Sequence, residues 1–155
     1  MLVDFISKMF EHSFKKEWYE TYWAIDLHGT IIKPNYKDAS YPAEYYPYAK
    51  SVLQILSKRP DIKLILYTSS FPSEIEEYLK KFKEDEIHFD AINDNPGISS
   101  KNGNFGFYEK KFYFNVMIED KAGFDPEKEW KHIFEFLIAC ETINFFPNPN
   151  WSTKY

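Results

Sequence analysis

Apolar positions along this chain fall into two kinds of run. Phe5, Ile6, Met9, Phe10 and Phe14 recur at helical spacing with Lys, Glu and His between them, which predicts an amphipathic helix over residues 5–20. Ala49, Val52, Leu53, Ile55 and Leu56 predict a second helix over Tyr48–Lys58, ended by Arg59-Pro60. A third is predicted over Ser73–Phe82, after Pro72, with Ser73 and Glu76 in a capping-box pattern. A fourth, Glu127–Glu141, follows Pro126 as a helix-start signal. Between these lie short, largely unbroken apolar or β-prone runs, Tyr22–Asp26, Lys63–Tyr67, Phe89–Ile92 and Lys111–Ile118, which read as strands. The stretch Lys33–Pro47, with Pro34, Pro42 and Pro47, and the Asn- and Gly-rich stretch Asn93–Gly106 read as loops. Strands that do not alternate apolar with polar are buried on both faces. Their alternation with helices therefore predicts an α/β fold, a Rossmann-like three-layer sandwich with a mostly parallel central sheet.

The length, 155 residues, suits a single domain spanning 1–155: the N-terminal helix 5–20, a core over 21–141 and a C-terminal tail over 142–155. Neither a Gly/Ser linker nor an internal repeat divides it. A formal charge of −5 and the lack of a long Lys/Arg run disfavour tight binding of long nucleic acids. A phosphorylated end or a small nucleotide remains compatible with that charge. Lys80, Lys81 and Lys83 are answered at once by Glu84, Asp85 and Glu86, the pattern of a solvated helix end. A single cysteine, Cys140, set among apolar residues, excludes an intrachain disulfide and a Cys-based zinc site. The start of the chain lacks a signal-peptide pattern, and no apolar run is long enough for a membrane span, so a cytoplasmic protein is expected. Large rings make up 20% of the residues, enough both to fill a small core and to line a cleft mouth. Tyr36, Tyr41, Tyr45, Tyr46 and Tyr48 could form such a rim, or simply pack on one another.

Three predicted strands end on polar residues suited to one chemistry. Asp26 ends the first, Thr68 or Ser69 follows the second, and Asp120 follows the last. A parallel sheet gathers such ends along its carboxyl edge, where α/β proteins bind ligands. Two carboxylates there can hold Mg²⁺, a hard ion that takes oxygen ligands and bridges to phosphate. The Thr68 hydroxyl can bond a phosphoryl oxygen, and Lys111 or Lys110 can neutralise developing charge.

Asp26, Leu27, His28, Gly29 and Thr30 resemble the first motif of the haloacid dehalogenase superfamily, where an Asp is followed two residues later by a second Asp and then Gly-Thr. The order of Asp26, Thr68, Lys111 and Asp120 resembles that family's four motifs over residues 20–140. The resemblance implies a nucleophilic Asp26 that also binds Mg²⁺, a second-motif hydroxyl at Thr68 and a third-motif lysine at Lys111, with Lys110 and Lys101 as alternatives. Asp120 becomes the fourth-motif metal ligand, and the Glu119-Asp120 pair with Asp125 matches that motif's acidic cluster. The stretches on either side of Thr68 are too short for a cap domain, so a capless member with an open site is implied, with room for a homo-oligomer whose neighbour serves as lid.

His28 stands where the family's phosphatases carry the acid/base aspartate. Imidazole can do both parts of that work, with an unperturbed pKa of about 6.5. The backbone carbonyl of residue 28 remains available to a metal whatever the side chain. The leading expectation is thus a Mg²⁺-dependent phosphomonoester hydrolase acting through an aspartyl-phosphate on Asp26, with His28 as general acid/base and a phosphorylated small molecule or macromolecular end as substrate. The alternatives are a slower or different phosphoryl transfer, or an inactive domain that binds a phosphorylated ligand or a protein partner. His12, His88 and His132 show no ligand spacing and read as surface or packing residues.

Overall fold

The computed structural model describes residues 2–34, 44–97 and 112–142. In chain order these form α1 (Leu2–Lys15), β1 (Thr21–Ile25), α2 (Ala49–Lys58), β2 (Ile62–Leu66), α3 (Pro72–Glu84), β3 (Ala91–Ile92), β4 (Val116–Ile118), a 3₁₀ turn (Asp120–Ala122) and α4 (Glu129–Thr142). The four strands form one wholly parallel sheet in the order β3-β2-β1-β4. Helices flank it, and the architecture is the expected Rossmann-like α/β sandwich. None of the helices among the described residues is long and apolar enough to cross a membrane.

The core follows from strand register. Trp23 lies beside Leu64 and Val116, and Ile25 beside Leu66 and Ile118, so these six side chains share one face of the sheet. All are buried, in one cluster with Ile6 and Phe10 of α1, Val52, Leu53 and Leu56 of α2, Tyr78 and Phe82 of α3, and Trp130, Ile133 and Leu137 of α4. Burying one such large apolar side chain is worth about 1.5–3 kcal/mol. On the other face, Tyr22 is covered by the Tyr113 ring, edge-on at 5.4 Å, and its hydroxyl donates to the Pro96 carbonyl. Cys140 is buried in α4, and burial pushes its thiol above the ordinary range, as befits a packing residue.

Several boundaries differ from expectation for identifiable reasons. The first helix ends at Lys15 rather than at residue 20 because the chain turns through Glu17, whose φ is +54°. The third helix is capped two residues earlier than predicted: Pro72 occupies its start, and the Glu74 carboxylate accepts from the Phe71 N–H at 3.0 Å. The last helix begins at Glu129 because Asp125 takes over the turn before it, accepting from the Glu127 N–H while its own N–H donates to the Glu129 carboxylate at 2.8 Å. Of the predicted strand Lys111–Ile118, Lys111 lies outside the described residues, and among the rest the strand is Val116–Ile118. Asn95 captures both backbone groups of Tyr113, its Oδ1 accepting at 3.0 Å and its Nδ2 donating at 2.6 Å, which keeps Tyr113 off the ladder.

The Tyr residues of the expected rim separate. Tyr36 and Tyr41 lie outside the described residues. Tyr45 donates to Asp85 at the end of α3, and Tyr48 packs against Phe134 of α4.

Candidate metal and phosphoryl site

The strand order reverses direction between β1 and β4: the chain steps outward from β1 to β2 and β3, then returns to the other side of β1. Crevices at the carboxyl ends of strands flanking such a reversal are where α/β sheets bind ligands. Asp26 follows β1 and Glu119-Asp120 follows β4 at that point. One carboxylate oxygen from each of Asp26, Glu119 and Asp120 lies within 4.8 Å of the others.

The local chain explains this convergence. The Asp26 N–H donates to the Ile118 carbonyl at 3.0 Å, continuing the β1–β4 ladder past the strand end. Residues 27–32 then close a tight turn, in which the N–H groups of Ile31 and Ile32 both donate to the Leu27 carbonyl. Leu27, Ile31 and Ile32 are fully buried and anchor the turn. Thr30 joins the two acidic strand ends: its hydroxyl donates to Asp26 Oδ2 at 3.1 Å and accepts from the Asp120 N–H at 3.0 Å. The indole of Trp130 in α4 donates to the Thr30 carbonyl at 2.8 Å and pins the turn from behind.

Crowding three acids together has electrostatic consequences. Burial lifts the Asp26 carboxyl above the usual range, and the Asp120 charge adds to this, against the opposing hydrogen bond from Thr30. Burial and the neighbouring Asp120 carboxyl raise Glu119 in turn. Asp120 is held low: burial works the other way, but the hydrogen bond shared with Glu119 and the ammonium of Lys121 favour its charged form. Asp120 Oδ1 is a buried oxygen without a close hydrogen-bond partner, and the Lys121 Nζ stands 3.6 Å away. An acceptor left so is costly unless a cation completes it.

A cavity of about 340 Å³ opens in front of Asp26 and is also lined by Thr68, Ser69, Asn93, Glu119 and Lys121. Thr68 is fixed by Asn93, whose Oδ1 accepts from the Thr68 N–H at 2.8 Å and whose Nδ2 donates to the Thr68 carbonyl at 2.7 Å. Asp26, Thr68 and Asp120 are thus gathered at one sheet edge. Lys111, with the alternatives Lys110 and Lys101, lies outside the described residues. Asp125 is not one of the clustered acids: it pairs with Lys128 at 2.8 Å and caps α4.

The His28 side chain turns toward α3 and is not among the clustered ligand atoms. Its Nε2 is 2.8 Å from the Tyr78 hydroxyl, with the rings edge to face, and its Nδ1 is 3.2 Å from Ser70 Oγ. Ser70 in turn bonds the Thr68 hydroxyl at 3.0 Å. Of the other histidines, His12 stacks on Trp18 and His88 is exposed.

Sequence reasoning passed over Asn93, Lys121 and Ser70. An asparagine directly after a predicted strand, a residue type that tolerates positive φ, was the available signal for Asn93, whose φ is +51°. For Lys121 it was a cation directly following the acidic pair at a turn.

No protein-family model matches the chain, and no curated protein matches it. The fold is similar to the solved structure of a conserved protein from Bacteroides thetaiotaomicron. The TM-score is 0.58 at 23% sequence identity, over 81% of this chain and 95% of that one. At that identity the likeness shows the shared fold.

Proposed function

We propose that this protein is a Mg²⁺-dependent phosphomonoester hydrolase in which Asp26 is the nucleophile. The observation that carries this reading is the meeting of Asp26, Glu119 and Asp120 at the β1/β4 strand ends, in front of a cavity that also presents Thr68. The donor set suits a hard divalent ion: all three groups offer carboxylate oxygens, and Asp120 Oδ1 is buried without a close hydrogen-bond partner. Gly29 leaves open the space beside Asp120 that a side chain would fill. Asp26, Glu119 and Asp120 would hold the ion. Bound there, it would offset the negative charge of a phosphoryl group.

Asp26 then has the place and the chemistry to attack phosphorus. Its carboxylate oxygen forms the new P–O bond while the ester P–O bond breaks, and the leaving oxygen takes up a proton. Water cleaves the aspartyl-phosphate, regenerating the carboxylate and releasing phosphate and the proton. Thr68 stands in the cavity to bond a phosphoryl oxygen. His28, the candidate acid/base, has both ring nitrogens on protein groups, so its communication with the cavity runs through Ser70 and Thr68. The order of these residues resembles the haloacid dehalogenase motifs, and that resemblance supports the same assignment. The lone, buried cysteine fits a reducing compartment such as the cytoplasm.

The test is turnover of an aryl phosphate with Mg²⁺ by wild-type protein and by Asp26→Asn, which keeps shape and removes the nucleophile. Wild type should turn over and the variant should not; equal rates would overturn the nucleophile assignment. His28→Ala should slow the reaction by about 10²–10⁴ if the imidazole carries the proton. Binding of Mg²⁺ and phosphate without turnover of any ester would favour a binding domain instead.

A further inference from the structure

The three links that join Thr68, Ser70, His28 and Tyr78 share an uncommon property: every member can both donate and accept a hydrogen bond. The links measure 3.0 Å from Thr68 Oγ1 to Ser70 Oγ, 3.2 Å from Ser70 Oγ to His28 Nδ1, and 2.8 Å from His28 Nε2 to the Tyr78 hydroxyl. Thr68 Oγ1 also accepts from the Ser70 N–H at 3.1 Å. The chain begins in the cavity, where Thr68 stands, and reaches the buried Tyr78 of α3.

With a neutral imidazole, such a chain has two self-consistent polarities. In the first, His28 Nε2–H donates to Tyr78, Ser70 donates to Nδ1, and Thr68 donates to Ser70. The hydroxyl hydrogen of Thr68 is then spent inside the protein, and the cavity sees only an oxygen lone pair. In the second, Tyr78 donates to Nε2, Nδ1–H donates to Ser70, and Ser70 donates to Thr68. The Thr68 hydroxyl hydrogen is then turned to the cavity. Both forms carry a neutral imidazole: one proton leaves Nε2 and one arrives at Nδ1, so composition and charge are the same.

We propose that His28 is a positioning residue whose tautomer sets whether Thr68 offers a hydrogen-bond donor to the cavity, and that an arriving phosphoryl oxyanion selects the donating form. This rests on the phosphoryl-transfer reading above and deepens it. The cavity is lined by two carboxylates, Asp26 and Glu119, with Lys121 beside them, so a donor from Thr68 adds to the little that favours an anion there. Imidazole suits position 28 for a physical reason. An ionised carboxylate only accepts, and it would hold Ser70 and Thr68 in the non-donating polarity. Imidazole can present a donor on either side.

The experiment is ¹⁵N NMR of the His28 ring in full-length, Mg²⁺-loaded protein titrated with inorganic phosphate, together with calorimetry on Ser70→Ala. The expected result is an Nε2–H ring without phosphate and an Nδ1–H ring with it. Ser70→Ala removes the acceptor that holds the Thr68 hydrogen and cuts the chain to His28, so phosphate affinity should hold or rise while the His28 tautomer ceases to respond to phosphate, with Mg²⁺ affinity in the absence of phosphate unchanged. Phosphate binding to the wild type with an unchanged tautomer, a tautomer that still responds to phosphate in Ser70→Ala, or a loss of phosphate affinity in that variant overturns this inference and leaves the hydrolase reading standing. No phosphate binding to the Mg²⁺-loaded wild type overturns both.

Discussion

Gly29 and Asp120 are packed so closely that a Cβ on residue 29 would stand 2.7 Å from Asp120 Oδ2. Gly29 also has a φ of +87°, a region that favours glycine. Gly29→Ala should therefore displace the Asp120 carboxylate as well as strain the turn. The strain alone is worth about 1–2 kcal/mol. Both effects are readable, as a lower denaturation midpoint and as weakened Mg²⁺ binding by calorimetry. Unimpaired Mg²⁺ affinity would show that Asp120 is not a ligand.

Among the described residues, Thr30 is the hydroxyl that bonds both Asp26 and Asp120 and holds them in register. Thr30→Val keeps the shape and removes both bonds, which should cost about 1–3 kcal/mol because a buried N–H is left without its acceptor. Thr30→Ser should recover most of the loss. Urea denaturation of the three proteins, with and without Mg²⁺, separates the effect on folding from the effect on the site.

Lys121 sits 3.6 Å from both Glu119 Oε1 and Asp120 Oδ1 on a side chain 79% exposed, so it acts as a tethered monovalent cation over the acids. Lys121→Met should lower the melting temperature of the metal-free protein and raise its Mg²⁺ affinity. The gain should be a few-fold at most, roughly what a solvent-screened charge can supply. A drop in Mg²⁺ affinity would contradict competition between the two cations.

Acid should act oppositely on the metal-free and loaded protein. Asp26 and Glu119 have raised pKa values in the fold, so ionising them works against folding. Their contribution favours the metal-free fold at pH below the unfolded values and is lost as pH rises through the raised native ones. Mg²⁺ takes the ionised groups, so its binding should weaken as pH falls through those raised values, earlier than ordinary carboxylates predict. Melting temperature against pH, with and without Mg²⁺, gives two curves that should diverge upward in pH.

Asp85 should show the opposite sign. Burial alone would raise it, but Lys50 at 2.5 Å, Tyr45 at 2.7 Å and Lys81 bring it down to about 2. The stability it contributes is complete above the unfolded value of 3.8 and fades as pH falls toward about 2. Tyr45, raised by burial and by this carboxylate, stays protonated throughout. Tyr45→Phe should cost about 1 kcal/mol at neutral pH and less in acid. A denaturation series at several pH values checks it.

The parallel α/β order was legible because it rests on long-period signals. Buried strands such as Lys63–Tyr67 and amphipathic helices such as Ala49–Lys58 announce themselves by side-chain spacing. Asp26 and Asp120 were legible as strand-end residues, and their meeting follows from strand order. What stayed hidden depends on single side chains bonding distant backbone. Asn95 shortens β4 by holding Tyr113, and Asn93 clamps Thr68. The orientation of His28 was equally out of reach, because it is set by Tyr78, fifty residues along the chain.

β4 meets β1 over three residue pairs, and the described order places it at one end of the sheet. So brief a seam has little adhesion of its own, and the acids at its tip repel while no divalent ion joins them. Loading the site would therefore tighten the attachment of an entire edge. A chelator would act on this protein as a mild, local denaturant, first felt where β4 docks.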